Sequence, residues 1–347
     1  MIKHSDITVA ICTFNGVQRI TECLIALSRQ SDDVSILVVD DGSTDGTVAT
    51  VRQALEQLDL RCQVVELPEN VGIWAARQAA VDACQTDIIA FIDDDCRPTA
   101  AWAHELLEAW QSADATTHLI GGPTTAWRPT SRNARYNDVF NTILPLDRRF
   151  GQDIGLLTRV LLYIAPPRVE SMEVVSYLAA ANLSARVASI KAVGGFPAIR
   201  GAGEDTYLCD TIRRTYGPES IWSVPQLLVE HDYGDKLRGT WRRSKFYGRG
   251  AAQKWIDKGG IPSLRPGPPF LLGVVILLGL LTSPWIALGT LLVTPYLFWL
   301  PSTLKRTHHL TDWLTFPMFR FADESLQVVG FASVAWRKFF KAVDGTR

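Results

Sequence analysis

IIAFIDDDCRP, residues 88–98, is the stretch on which the reading of this chain turns. Asp87 to Ile92 is an apolar run of the kind found in strands buried on both faces. It ends in three adjacent carboxylates, Asp93, Asp94 and Asp95. Three such groups repel one another at neutral pH, and the end of a buried strand is a costly place for them unless a cation is held there. Oxygen ligands suit a divalent metal, Mg²⁺ or Mn²⁺, which commonly takes phosphate oxygens as further ligands. Alternation along an extended chain puts Asp93 and Asp95 on one side, able to act on the same metal and its diphosphate. A solvated acidic turn, or a helix N-cap near Pro98, is the alternative.

Upstream, strand-like and helix-like segments alternate. Ile7–Cys12, Ser35–Val39 and Cys62–Leu67 read as strands, and Arg19–Arg29, Thr47–Leu58 and Trp74–Ala83 as helices. The fold class expected is α/β, a parallel sheet with helices on both faces, binding its ligand beyond the carboxyl ends of the strands. Asp40 and Asp41 sit at one such end, where an aspartate can accept from a nucleobase or ribose, or simply cap the helix after Thr44. Asn70, Gly72 and Arg77 link the third strand to a helix; the glycine permits a tight turn, and the arginine can face phosphates or lie on the surface. Further on, Val174–Ser184 is ordered, and a helix carries Thr206–Thr215. Glu204 and Asp205 open it. Acidic residues there favour the helix dipole, but Asp205 can also serve as a general base oriented by Glu204. His231, after a strand-like Gln226–Val229, is a candidate third metal ligand or a structural histidine. Ile154–Ile164 reads as an amphipathic segment stopped by Pro166-Pro167.

Net charge is −1, which supplies no global basic field for nucleic acid. The six cysteines form no CxxC pair and fit reduced thiols. MIKHSDITVAICTFNG lacks the apolar core of a signal peptide, which puts the catalytic part on the cytoplasmic side. From Pro266 to Leu304 about forty residues pass without a charge, divided by Pro284. Two helices, about 268–283 and 285–301, fit as a C-terminal hydrophobic hairpin, each a little short for a full span. Basic flanks at both ends keep both on the cytosolic side, which a hairpin satisfies and a single span does not. The expected domains are 1–255, a membrane-associated hairpin at 266–304, and an amphipathic tail at 305–347. Phe321–Phe340 can lie on the membrane surface or pack onto the hairpin.

In order and spacing these features resemble the family 2 glycosyltransferases, the large inverting group with the GT-A fold. VAICTFNG, VVDDGSTDGT, ENVGIWAARQ, IIAFIDDDCRP, ANLSAR with VGGFP, GAGEDTYLCDTIRR and VEHDY carry the resemblance, over about residues 5–250. It implies a GT-A nucleotide-sugar-binding sheet and a membrane-associated enzyme. A sugar would pass from a UDP- or GDP-type nucleotide-diphosphate donor to a hydroxyl acceptor, a lipid-linked or cell-envelope glycan. Thr13, Phe14 and Asp41 would lie along the nucleoside, with Asn70, Gly72, Arg77, Asp93 and Asp94 completing the donor side. Asp93 and Asp95 would hold metal and diphosphate with His231, Asp205 would be the base beside Glu204, and Asn182 would shape the acceptor side. Arg242 and Arg243 are candidates for the leaving diphosphate. Cys96 stands where many members have a fourth acid, and Gln78 where Asn is frequent. No Gln-x-x-Arg-Trp signature occurs, which argues against a processive synthase. A nucleotidyltransferase would need a basic glycine-rich loop where CTFNGVQR stands. A polyprenyl-phosphate sugar transferase and a non-catalytic glycan- or nucleotide-binding membrane subunit are the other readings.

Overall fold

The strands, in chain order, are β1 (Ile7–Thr13), β2 (Ser35–Asp40), β3 (Cys62–Glu66), β4 (Ile88–Asp93), β5 (Cys96–Pro98), β6 (Leu119–Gly121), β7 (Thr124–Ala126), β8 (Leu146–Asp147), β9 (Glu173–Tyr177), β10 (Asn182–Arg186), β11 (Ile221–Ser223) and β12 (Val229–His231). The helices are α1 (Ile20–Ser28), α2 (Thr47–Leu58), α3 (Ile73–Ala83), α4 (Trp102–Ser112), α5 (Arg132–Val139), α6 (Val187–Ala192), α7 (Glu204–Tyr216), α8 (Leu237–Lys258), α9 (Pro268–Leu281), α10 (Pro284–Arg306) and α11 (Leu310–Asp344). This is a computed structural model, and it describes residues 2–3, 6–32, 34–140, 146–147, 171–199, 202–258 and 268–344. The segment Ile154–Ile164 lies outside the described residues.

Alternation along β1 and β4 builds two cores, one on each face of the sheet. Ile7, Val9, Ile11, Ile88, Ala90 and Ile92 pack against α1, α2 and α4, led by Leu24, Trp102 and Trp110. Ala10, Cys12, Ile89 and Phe91 pack against α3, α6 and α7, through Ala76, Ala80, Ile190 and Leu208. Both faces of these strands are therefore buried, which is why they read as continuous apolar runs. All six cysteines are unpaired.

The main sheet runs β3-β2-β1-β4-β10-β6-β11-β9-β8. The expected parallel pairing holds for β3, β2, β1 and β4. Beyond β4 the sheet is mixed, since β10 pairs antiparallel with both β4 and β6. The ordered stretch expected at Val174–Ser184 is two strands, β9 and β10, which are not neighbours in the sheet. A small second sheet, β5-β12-β7, lies beyond the end of β4. Its register sets His231 opposite Cys96. Gln226–Val229 is not a strand as expected: hydrogen bonds from Leu227 N to Val224 O (3.1 Å) and Leu228 N to Gln226 O (2.7 Å) fold it into a turn, and pairing begins at Val229.

The expected hairpin is present as α9 and α10, with α10 running on through Pro301 to Arg306. Among the described residues, α10 is the one helix long and apolar enough to cross a membrane. The tail is a single helix, α11, that begins at Leu310 and packs along α8 as well as on α9 and α10. Buried polar groups along it bind it to α5, to α8 and to itself. Asp312 takes Arg135 Nε at 2.8 Å and Nη2 at 3.0 Å, Arg320 Nε meets Glu324 at 2.7 Å, and Ser244 donates to Asp323. Small residues let the backbones close up: a Cβ on Gly248 would strike the Gln327 carbonyl, and one on Gly330 the Lys245 carbonyl.

Candidate active site

The three aspartates after β4 face three different partners. Asp93 Oδ1 accepts from Arg77 Nη2 at 2.8 Å. Arg77 is buried and donates through Nη1 to Glu204, so one guanidinium ties the end of β4 to the start of α7. Burial alone would lower the Arg77 pKa, but Glu204 and Asp93 outweigh it and hold the value up, so Arg77 stays charged. The sequence points Arg77 at the donor; in the structure it is held between the carboxylates of Asp93 and Glu204.

Asp94 turns the other way and clamps the loop after β1. Its Oδ2 accepts from Thr13 Oγ1 at 2.6 Å and Arg19 Nη2 at 3.0 Å, and its Oδ1 from Arg19 Nε at 3.2 Å. Burial pushes the Asp94 carboxyl up, against the pull of Arg19. A glycine is required at position 16, because a Cβ there would collide with the side chains of Asp94 and Thr13. No local sequence signal marks Arg19, whose partner lies 75 residues away.

Asp95 points toward the small sheet, with Oδ1 3.4 Å from His231 Nε2. Burial and the neighbouring Asp93 push its carboxyl up, and Arg243 opposes them. Burial and Arg243 bring His231 down to about 4, so the imidazole is neutral at physiological pH and its ring nitrogen is available to a cation. Among the described residues His231 Nδ1 has no hydrogen-bond partner, and the ring stacks on Tyr233 at 4.3 Å between centroids. Ligand atoms of Asp95, Cys96 and His231 lie within 4.8 Å of one another. Cys96 is a poor third member, since burial holds its thiol well above the usual range. The donor set that fits a hard divalent ion is therefore Asp95 and His231, with Asp93 adjacent.

Asp41, Asn70 and Gly72 come together, as the sequence suggests. The buried Asp41 carboxylate accepts from Asn70 Nδ2 at 2.8 Å and from the backbone N–H groups of Val71 and Gly72, each at 2.9 Å. Gly72 has φ +102, a conformation that favours glycine. Phe14 is 43% exposed, and its loop is tied to the one after Asp41 by Asn15 N to Ser43 Oγ (2.8 Å) and Thr44 N to Asn15 Oδ1 (3.0 Å).

Asp205 lies in the first turn of α7. Its Oδ2 accepts from Tyr177 Oη at 2.9 Å and Ala180 N at 3.3 Å, and its Oδ1 from Thr206 N at 2.6 Å. Glu204 is buried behind it, its carboxyl pushed up by burial against the pull of Arg77. Two tyrosines that the sequence does not flag join the site. Tyr177 holds Asp205; Tyr247, on α8, feels the charges of Asp205, Asp93 and Asp95, and burial with these charges pushes it to about 12. Both come from elements with no local motif.

Arg243 faces Asp95 and His231 from α8, while Arg242 is exposed. Asn182 is fully engaged inside the fold, accepting from Trp102 Nε1 at 3.0 Å and donating to the Leu227 (2.6 Å) and Pro123 (3.1 Å) carbonyls. Gln78 holds the VGGFP loop in place, its Oε1 accepting from Phe196 N at 2.9 Å.

A parallel α/β half-sheet with acidic clusters at its strand ends thus faces a helix N-terminus that carries a second acidic pair. Residues 8–160 match the model of Glycosyl transferase family 2. A pre-mycofactocin glycosyltransferase of Mycobacterium tuberculosis is 29% identical over 254 residues, covering 72% of this chain and 47% of that relative. The chain thus spans about half the length of that protein. Glycosyltransferase AglE of Haloferax volcanii is 27% identical over 289 residues, covering 80% of this chain and 82% of its own. Among solved structures, a mannosyltransferase of Pyrobaculum calidifontis in complex with GDP-Man and Mn²⁺ superposes with a TM-score of 0.56 at 18% identity, over 93% of this chain and 87% of that one. Residues 8–160 are thus similar to a glycosyl transferase family 2 domain, and the chain shares the GT-A fold.

Proposed function

We propose that the protein is an inverting glycosyltransferase, moving a sugar from a UDP- or GDP-type nucleotide-diphosphate donor to a hydroxyl on a lipid-linked or cell-envelope glycan. The observation that carries this reading is the Arg77 bridge, which brings the Asp93–Asp95 cluster and the Glu204-Asp205 pair side by side. Phe14 and Asp41 lie along the nucleoside; since Asp41 is already saturated by the Asn70–Gly72 loop on one side, it also presents that loop to the base. Asp95 and His231, with Asp93, hold a divalent cation, Mg²⁺ or Mn²⁺; when bound it supplies positive charge against the departing diphosphate. Arg243 adds a second positive charge on the same side. Asp205, its oxygens fixed by Tyr177, Ala180 and Thr206, takes the proton of the acceptor hydroxyl, which attacks the anomeric carbon opposite the diphosphate.

The exposed apolar hairpin favours an acceptor carried by lipid, with the protein at the cell membrane and its catalytic domain on the cytoplasmic side. The test is paired. Asp205→Asn should keep donor binding, read as the thermal shift with nucleotide sugar and Mn²⁺, and lose turnover by about 10²-fold or more. Asp95→Ala should lose the Mn²⁺-dependent part of that shift. Wild-type turnover in the first variant would remove the base assignment, and an unchanged shift in the second the metal assignment.

A further inference from the structure

Helix α8 has two working faces. One turns Arg243 and Tyr247 to the active site. On the opposite face Arg238, Arg242, Lys245 and Arg249 follow one another at intervals of four, three and four, which lines them up along the helix. All four are exposed, and among the described residues none has an ion-pair partner. Aromatic and aliphatic groups stand among them: Phe246 on α8, and Val329 and Trp336 on α11, all exposed. The close approach of Gly330 to the Lys245 carbonyl places the α11 part of this surface beside the basic row.

The acidic residues are distributed the opposite way. Between Lys258 and Asp344 the chain has three, Asp312, Asp323 and Glu324, and all are buried and paired within the helical layer. Apart from Asp257, exposed near the end of α8, the exposed charges described along the layer are basic, Lys305 and Arg337 among them.

The hairpin limits how the layer can meet a bilayer. Exposure is greatest at its tip, with Leu280 81% and Trp285 80% exposed, and falls to 6% at Trp299, where α10 joins the body. Beyond that point Thr303 is buried and Arg306 donates to the Val139 carbonyl. The projecting part, residues 284–298 with the facing α9, is roughly 20 Å long at 1.5 Å per residue, against about 30 Å of hydrocarbon. It reaches past one leaflet and does not cross.

We propose that the basic–aromatic face of α8 and α11 docks on an anionic lipid surface, with the hairpin inserted from the same side. The proposal rests on the membrane reading given under Proposed function and adds to it a lipid-charge preference and the residues that set it. Interfacial aromatics beside a lysine–arginine row are the chemistry that headgroups select.

The experiment is vesicle flotation of the full chain, with phosphatidylcholine alone and with phosphatidylcholine and phosphatidylglycerol in equal parts. Binding to both is expected, stronger to the anionic vesicles, with the excess falling as salt rises. Arg238→Gln, Lys245→Gln and Arg249→Gln combined should lower binding to anionic vesicles roughly a hundredfold, at about fivefold per basic residue, and leave neutral binding unchanged. Equal wild-type binding to the two compositions at every salt concentration, or a triple variant that floats like wild type, overturns the proposal and leaves the hairpin reading standing. Binding to neither composition overturns both.

Discussion

Replacing Arg77 with methionine removes one guanidinium and strands two carboxylates. Glu204 would keep the Gly203 N–H at 3.0 Å and little else, inside the fold. Taking one partner from a buried pair costs about 3–5 kcal/mol. The Asp93 half adds at most about 1 kcal/mol, because that side chain is 32% exposed and water takes the place of the lost contact. A loss of about 3–6 kcal/mol follows, a change of more than a hundredfold in the folded-to-unfolded ratio. It should depend on pH. Burial already raises the Glu204 carboxyl, and removing the Arg77 charge raises it further. The folded variant then holds a proton that the unfolded chain has released. Its stability therefore falls as pH rises above the ordinary carboxylate value, by up to about 1.4 kcal/mol per unit, until the folded value is passed. Urea unfolding at about pH 6 and about pH 8 reads both effects. Arg77→Met/Glu204→Gln should recover all but about 1–2 kcal/mol, since no charge is left buried. A single variant that loses less than about 1 kcal/mol, or a double variant no more stable than the single, would refute the buried-bridge account.

On the proposed mechanism, Tyr177→Phe should lower kcat about tenfold with the donor KM unchanged, because it releases one hydrogen bond on Asp205. Asp312→Asn should destabilise by about 2 kcal/mol near neutral pH, the buried-pair figure reduced for the partly exposed Arg135. Burial works against the Asp312 charge, but Arg135 and Thr307 outweigh it and hold the carboxyl below its ordinary value, so the stabilisation is present above that value and lost as pH falls through the folded one. Acid titration of stability should show wild type and variant converging. Gly248→Leu should cost about 1–3 kcal/mol in chemical unfolding, since the side chain would have to displace the Gln327 carbonyl of α11.

What can be read from the sequence is whatever local pattern encodes. Buried parallel strands betray themselves by unbroken apolar runs, so β1, β2 and β4 are legible to within a residue or two, as are the carboxylates at their ends. The pair Glu204-Asp205 is legible because it opens a helix after a glycine loop. The allocation of roles within the site is not. Whether Arg77 meets a ligand or Glu204 depends on a contact across 127 residues, and nothing near Arg77 encodes it. Asp94 reads as a member of the donor set, yet Thr13 and Arg19 hold it. The three-residue strands β5, β7 and β12 are too short to show a period, so only the register reveals why His231 reaches Asp95. The tail shows an amphipathic pattern without its partner, which is α8 and not the hairpin alone.

Gly250 of α8 lies so close to the Ala202 carbonyl that a Cβ there would clash, and Ala202 leads into Glu204 and Asp205. The same helix carries Arg243 to Asp95 and is closed against α11 at Gly248. With no side chain between these backbones to act as a cushion, α8 is placed as a shim: on the proposed reading, a displacement of the helix would move Arg243 and Asp205 in step. Mutations far out on α11 should then register as matched changes in donor and acceptor handling, and a lesion confined to one substrate should map elsewhere.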